Sequence, residues 1–163
     1  MPRWSKKYYR KYKKEKQMDL DDLTDDQVNI LIDSIKRSLD ELPKFFPTIT
    51  LYKVDGDYKI VDEKYEIEYV LHVYRGKHDL HRYSMHIRFK QNNLHLVRLC
   101  INANNNHINK SDGTNVGRNH IHIYKSSEPD GLYAYELENH IFEASDELIE
   151  SFQKFIKFLN IKE

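Results

Sequence analysis

Hydrophobic and polar residues alternate with a period of two through the middle of the chain. Tyr65, Ile67, Tyr69, Leu71 and Val73 interleave with Glu66, Glu68 and His72, the pattern of a strand with one buried face. Leu80 to Lys90 repeats it, with Tyr83, Met85, Ile87 and Phe89 on one side and Arg82, His86 and Arg88 on the other. Further strands are expected at Thr48 to Val54, Tyr58 to Val61, Leu94 to Ile101, His120 to Tyr124 and Leu132 to Leu137. Asp55, Gly56 and Asp57 read as a hairpin-type turn between the first two. A helical period appears twice. Thr24 to Gln27 has the capping-box pattern and opens a helix to about Glu41, with Val28, Leu31, Ile32, Ile35, Leu39 and Leu42 as its buried stripe and Pro43 as its stop. Ser145 caps a second helix carrying Leu148, Ile149, Phe152, Phe155, Ile156 and Leu159. The expected fold is α+β: an antiparallel sheet of about five to seven strands flanked by two amphipathic helices, with one sheet face left open.

Composition adds a division of the chain. At 163 residues, 39% hydrophobic and 32% charged, with five Gly and four Pro, the sequence describes one globular domain over residues 18–163. Residues 1–17 differ. Eight cations less the one acid, Glu15, give this arm +7, so the neutral whole leaves −7 on the body. Arg3, Lys6, Lys7, Arg10 and Lys11 interleave with Trp4, Tyr8 and Tyr12, aromatics spaced by four, which suits phosphate contacts combined with base stacking. The lone Cys100, between Leu99 and Ile101, excludes an intrachain disulfide and a cysteine-based zinc cage, and reads as a small core residue. With no signal peptide or long apolar span, the expected location is the cytoplasm, away from membranes.

Candidate chemistry concentrates between Arg98 and Tyr124. On strands, Arg98 shares a face with Asn102, and His120 with His122 and Tyr124. With His86 and Arg88 they form an inventory of imidazoles for proton transfer, a guanidinium for a phosphate and a phenol. Metal-free RNA cleavage needs these parts: a base for the 2′-hydroxyl, an acid for the leaving oxygen and a cation for the phosphate. The expected catalytic residues are His120, His122, Arg98, Tyr124 and His107; Gly113 and Gly117 serve as hinges for the loop that carries His107. Arg88, Asn102 and Arg118 join the arm in holding RNA, and no cofactor is required. Two other readings compete. His120 and His122, with His107 or His86 third, have the makings of a metal site. Alternatively, arm and tyrosines dock on a nucleoprotein such as a defence nuclease, as a non-enzymatic inhibitor, and the histidines are structural. An ion pair to Glu66 or Glu68 is the plain alternative for Arg98, and His72, His78, His81, His95 and His140 read as background.

The ordered set Arg98, Asn102, His107, Asp112, Gly113, Gly117, His120, His122, Tyr124, Ala134 and Tyr135 resembles a motif of a family of small, largely uncharacterised bacterial proteins of phages and mobile elements. More loosely, the order of arginine, asparagine and histidines is similar to that of small toxin components of toxin–antitoxin pairs. The resemblance covers roughly residues 65 to 137 and implies conflict between a mobile element and its host, with RNA cleavage or anti-CRISPR action as the expected activities.

Overall fold

The structure is a computed structural model that describes residues 18–137 and 141–163; the expectations placed on residues 1–17 and on His140 lie outside them. In chain order the elements are α1 (Asp25–Asp33), β1 (Lys36–Ser38), β2 (Val54–Asp62), β3 (Ile67–Arg75), β4 (Tyr83–Phe89), β5 (His95–Ile101), β6 (His107–Ile108), β7 (Asn115–Gly117), β8 (His120–Ile123), β9 (Ala134–Glu136), α2 (Leu148–Phe158) and β10 (Ile161–Lys162). Eight strands form one sheet in the order β10-β1-β2-β3-β4-β5-β8-β9, and β6 and β7 form a separate two-stranded ribbon. The α+β class holds, and the sheet exceeds the expected five to seven strands because the short strands β1 and β10 extend it. These two pair in parallel across the length of the chain, Lys36 opposite Ile161, a contact that no local pattern announces.

The helices share one sheet face. Leu23, Val28 and Leu31 from the α1 side and Leu148, Phe152 and Phe155 of α2 join Tyr69, Leu71, Met85, Ile87, Leu99 and Ile121 in one core. Each such fully buried apolar side chain contributes about 2 kcal/mol relative to exposure. The residues between these sheet positions must face the other way. The second face of β2 to β8 is therefore polar.

α1 begins as its sequence predicts: Thr24 Oγ1 accepts from Gln27 N–H at 3.1 Å, and Gln27 Oε1 accepts from Thr24 N–H at 3.0 Å. It ends at Asp33, well short of Glu41, and leaves Ile35 and Leu39 exposed. Lys36 explains the stop. Its fully buried ammonium donates to the carbonyls of Ile32 (3.1 Å) and Ser34 (2.9 Å) at the end of α1, and to that of Leu159 (2.8 Å) at the end of α2. One cation thus satisfies carbonyls at two helix C-termini, where the dipoles favour positive charge. Burial still lowers the Lys36 pKa to about 8, with Asp62 and Asp33 opposing.

Three other expectations are corrected. Asp55, Gly56 and Asp57 lie inside β2 and not in a turn, and Thr48 to Lys53 is irregular, with Ile49 and Leu51 exposed. The last helix is capped at Glu147, whose N–H donates to Glu150 Oε1, and not at Ser145. Among the described residues, no helix is long and apolar enough to cross a membrane.

Candidate functional site

Residues opposite one another in an antiparallel ladder project from the same face. The registers therefore set two rows across the polar side of the sheet. Asp57, His72, His86, Arg98 and His122 are successive partners from β2 to β8. Beside them run Tyr74, Ser84, Cys100, His120 and Glu136. Cys100, expected in the core, is buried on this polar face instead, two residues from Arg98 and opposite His120.

At the β2 side the row is a stack of imidazoles. His86 lies between His72 (ring centroids 5.0 Å apart) and His95 (4.0 Å). Asp57 Oδ1 is 2.6 Å from His72 Nδ1, and Arg88 donates to His86 Nε2 at 2.8 Å, which requires a lone pair there. Burial first, then the neighbouring His95, His72, Arg88 and Arg98, drives the His86 pKa down to about 2. His95 is lowered to about 4, again mainly by burial.

At the β8 side three histidines meet. His107 comes from the two-stranded ribbon, held opposite Gly117, a residue at φ +72° where glycine is favoured. Ring centroids separate His107 and His120 by 5.2 Å, His107 and His122 by 4.8 Å, and His120 and His122 by 4.9 Å. His120 Nδ1 lies 3.0 Å from the Gly117 carbonyl and His122 Nδ1 3.1 Å from that of Leu132. A carbonyl only accepts, so each Nδ1 carries the hydrogen and each Nε2 keeps its lone pair. Burial, the largest cause for both, lowers the His120 pKa and takes His122 to about 3; both rings are neutral at neutral pH. His107 Nε2 is buried with no hydrogen-bond partner.

Cys100 completes the cluster. One donor atom from each of Cys100, His120 and His122 lies within 4.8 Å of the others. Burial pushes the thiol pKa up, and the nearby positive charge of Arg98 opposes that shift. Arg98 Nε is itself buried without a partner, and no ion pair to Arg98 occurs among the described residues; Glu68 pairs with Lys90 at 3.4 Å.

Of the expected catalytic residues, His107, His120, His122 and Arg98 come together. Tyr124 does not: it is buried in the helix-covered core, where its hydroxyl accepts from Leu23 N–H. Arg88 belongs to the imidazole stack. Asn102, at φ +53°, donates through Nδ2 to the His81 carbonyl at 2.8 Å, and Arg118 donates to the Ala103 carbonyl at 2.5 Å, so both brace the loop through their side chains. Cys100, His72 and His95 were missed as site residues. The spacing of Cys100 from Arg98 was the available signal; His95 reaches its place through a register shift at Ile87 and Arg88 that alternation cannot reveal.

Residues 23–161 match a family described as a family of unknown function, DUF6978. The chain belongs to that family. The match spans both helices and strands β1 to β9, ends on the first residue of β10, and begins after the basic arm. No curated protein and no solved structure matches the chain significantly.

Proposed function

We propose that this DUF6978 protein is a transition-metal-dependent phosphodiesterase acting on RNA, with Cys100, His120 and His122 as ligands. The observation that carries this reading is the convergence of two imidazoles, each with Nε2 free and Nδ1 donated to a backbone carbonyl, on one buried thiol. A second hydrogen bond that fixes the tautomer and orients the ring is the usual support of a histidine ligand. Sulfur with imidazole nitrogen suits zinc or an ion of similar softness and disfavours magnesium or calcium.

Such an ion supplies a bound water of lowered pKa and charge stabilisation at the phosphate. Arg98, whose buried Nε has no partner, holds the phosphate beside the ligands. His107, next to both histidines with Nε2 unpartnered, takes a proton from the attacking water and returns it to the leaving oxygen as the P–O bond breaks. The choice of RNA rests on the basic aromatic arm, whose composition suits a nucleic-acid strand.

Metal-free cleavage by His120 and His122 is the second reading, favoured by the presence of Arg98 in the same row as His122. It needs one imidazolium as acid, and burial works against that form at both positions. Labelled single-stranded and structured RNAs, incubated with the protein in EDTA and then in zinc or manganese, separate the two. Cleavage only with metal is expected. Persistence in EDTA restores the acid–base pair, and binding without cleavage under every condition moves the protein to the inhibitor class.

A further inference from the structure

Next to the ligand cluster, a groove of about 610 Å³ opens on the same sheet face between the ends of β4 and β5 and the loops that follow β3 and β5. Cys100 and Arg98 both line it, so the groove and the ligand cluster meet at Cys100. Lys53, Lys77 and Arg82 also line it, and among the described residues Asp79 is its only carboxylate.

The cations are not equally committed. Lys53 lies 3.6 Å from Asp55, outside the groove. Arg82 is held by the Asn102 carbonyl at 3.0 Å and by Asp79 at 3.6 Å. Lys77 has no side-chain partner among the described residues, and Arg98 keeps a buried, unpartnered Nε. A buried guanidinium donor without an acceptor carries a desolvation penalty that an incoming oxyanion would remove. With four cations around one carboxylate, the groove favours anions, and a planar guanidinium beside a mobile ammonium suits phosphate oxygens.

We infer that this groove is the substrate site and receives a phosphate ester group between Arg98 and Lys77, with the ester bond at the Cys100 side. The inference rests on the reading of Cys100, His120 and His122 as the reacting centre. The groove is open along its length, so the ester can belong to a nucleotide or to a strand; their shared chemistry is the phosphate.

The test uses the full-length protein after metal removal, so that binding is read apart from metal chemistry. A fluorescein-labelled single-stranded RNA octamer serves as probe in fluorescence anisotropy, with inorganic phosphate, adenosine monophosphate and unlabelled octamer as competitors. Lys77→Glu is expected to weaken probe binding about tenfold and Lys77→Arg to restore it, with cobalt stoichiometry unchanged in both. Competition by adenosine monophosphate assigns the site to a single phosphate ester, and competition by the octamer alone assigns it to a strand. Unchanged probe affinity in Lys77→Glu overturns the groove assignment and leaves the metal reading intact. Loss of metal binding in the unsubstituted protein overturns the metal reading and leaves a groove that binds phosphate for another purpose.

Discussion

Replacing His86 by Gln should make the fold less sensitive to acid, although it removes a side chain from the centre of the polar row. In the folded state burial and four neighbouring imidazole or guanidinium groups hold the His86 pKa near 2, against 6.5 for an ordinary histidine. The unfolded chain therefore takes up a proton near pH 6.5 that the folded chain refuses. A depressed folded pKa leaves stability whole above pH 6.5 and lost progressively as pH falls toward the folded value. Between pH 6.5 and 4.5 the two units amount to about 2.7 kcal/mol, and solvent at the half-buried ring reduces this to about 2 kcal/mol. Gln keeps an acceptor for Arg88 and does not titrate. Urea midpoints followed by far-ultraviolet circular dichroism at pH 7, 6, 5 and 4.5 should show the unsubstituted protein losing about 2 kcal/mol more than the variant over that range. Other histidines contribute to both proteins, so the difference isolates His86. Parallel pH profiles would falsify the assignment of a strongly depressed pKa to the stacked ring.

Three further outcomes follow from the same structure. Lys36→Met should destabilise by about 3 kcal/mol, because three buried carbonyls lose their donor, with part of the loss offset by removal of a buried charge. The folded Lys36 pKa lies below its ordinary value, so only the unsubstituted protein should gain stability as pH rises from 8 toward 10; equal midpoints in the two proteins refute the clamp. Tyr83→Phe should cost about 1 kcal/mol in thermal unfolding, since its buried hydroxyl donates to the Asp146 carbonyl at 2.6 Å and lies 2.6 Å from Ser151 Oγ; no loss would remove that bond from the account of α2. His107→Gln should keep one metal ion per chain while cleavage falls about 100-fold, as expected for a residue that moves protons; loss of the ion would make His107 a ligand.

Much of the fold was legible because β3 and β4 alternate without interruption, and because a capping box marks the start of α1. The early end of α1 was not, since it depends on Leu159 and Asn160 arriving from the other end of the chain to meet Lys36. Gly56 and its flanking aspartates carry turn chemistry, yet nine consecutive pairings with β3 hold them in a strand. At the site, alternation correctly put Arg98, His120 and His122 on one face. It gave Cys100 the same direction as Arg98, but the apolar neighbours Leu99 and Ile101 suggested the core. Tyr124 shows the reverse: it follows the strand, and so turns into the core, where Leu23, just before α1, supplies its partner. Cross-strand register, which brought His72, His86 and Arg98 into one line, is a property of pairings and not of any segment.

The central claim is that Cys100, His120 and His122 bind one metal ion. Titration of the metal-stripped protein with cobalt, followed by absorption spectroscopy, tests it most directly, because a cobalt–thiolate bond has a charge-transfer band that imidazole and carboxylate ligands do not produce. The proposal predicts saturation at one cobalt per chain, with that band lost in Cys100→Ser and cobalt binding lost in the double variant His120→Ala/His122→Ala. Substoichiometric, non-saturating binding, or a saturated spectrum indifferent to Cys100, would contradict it.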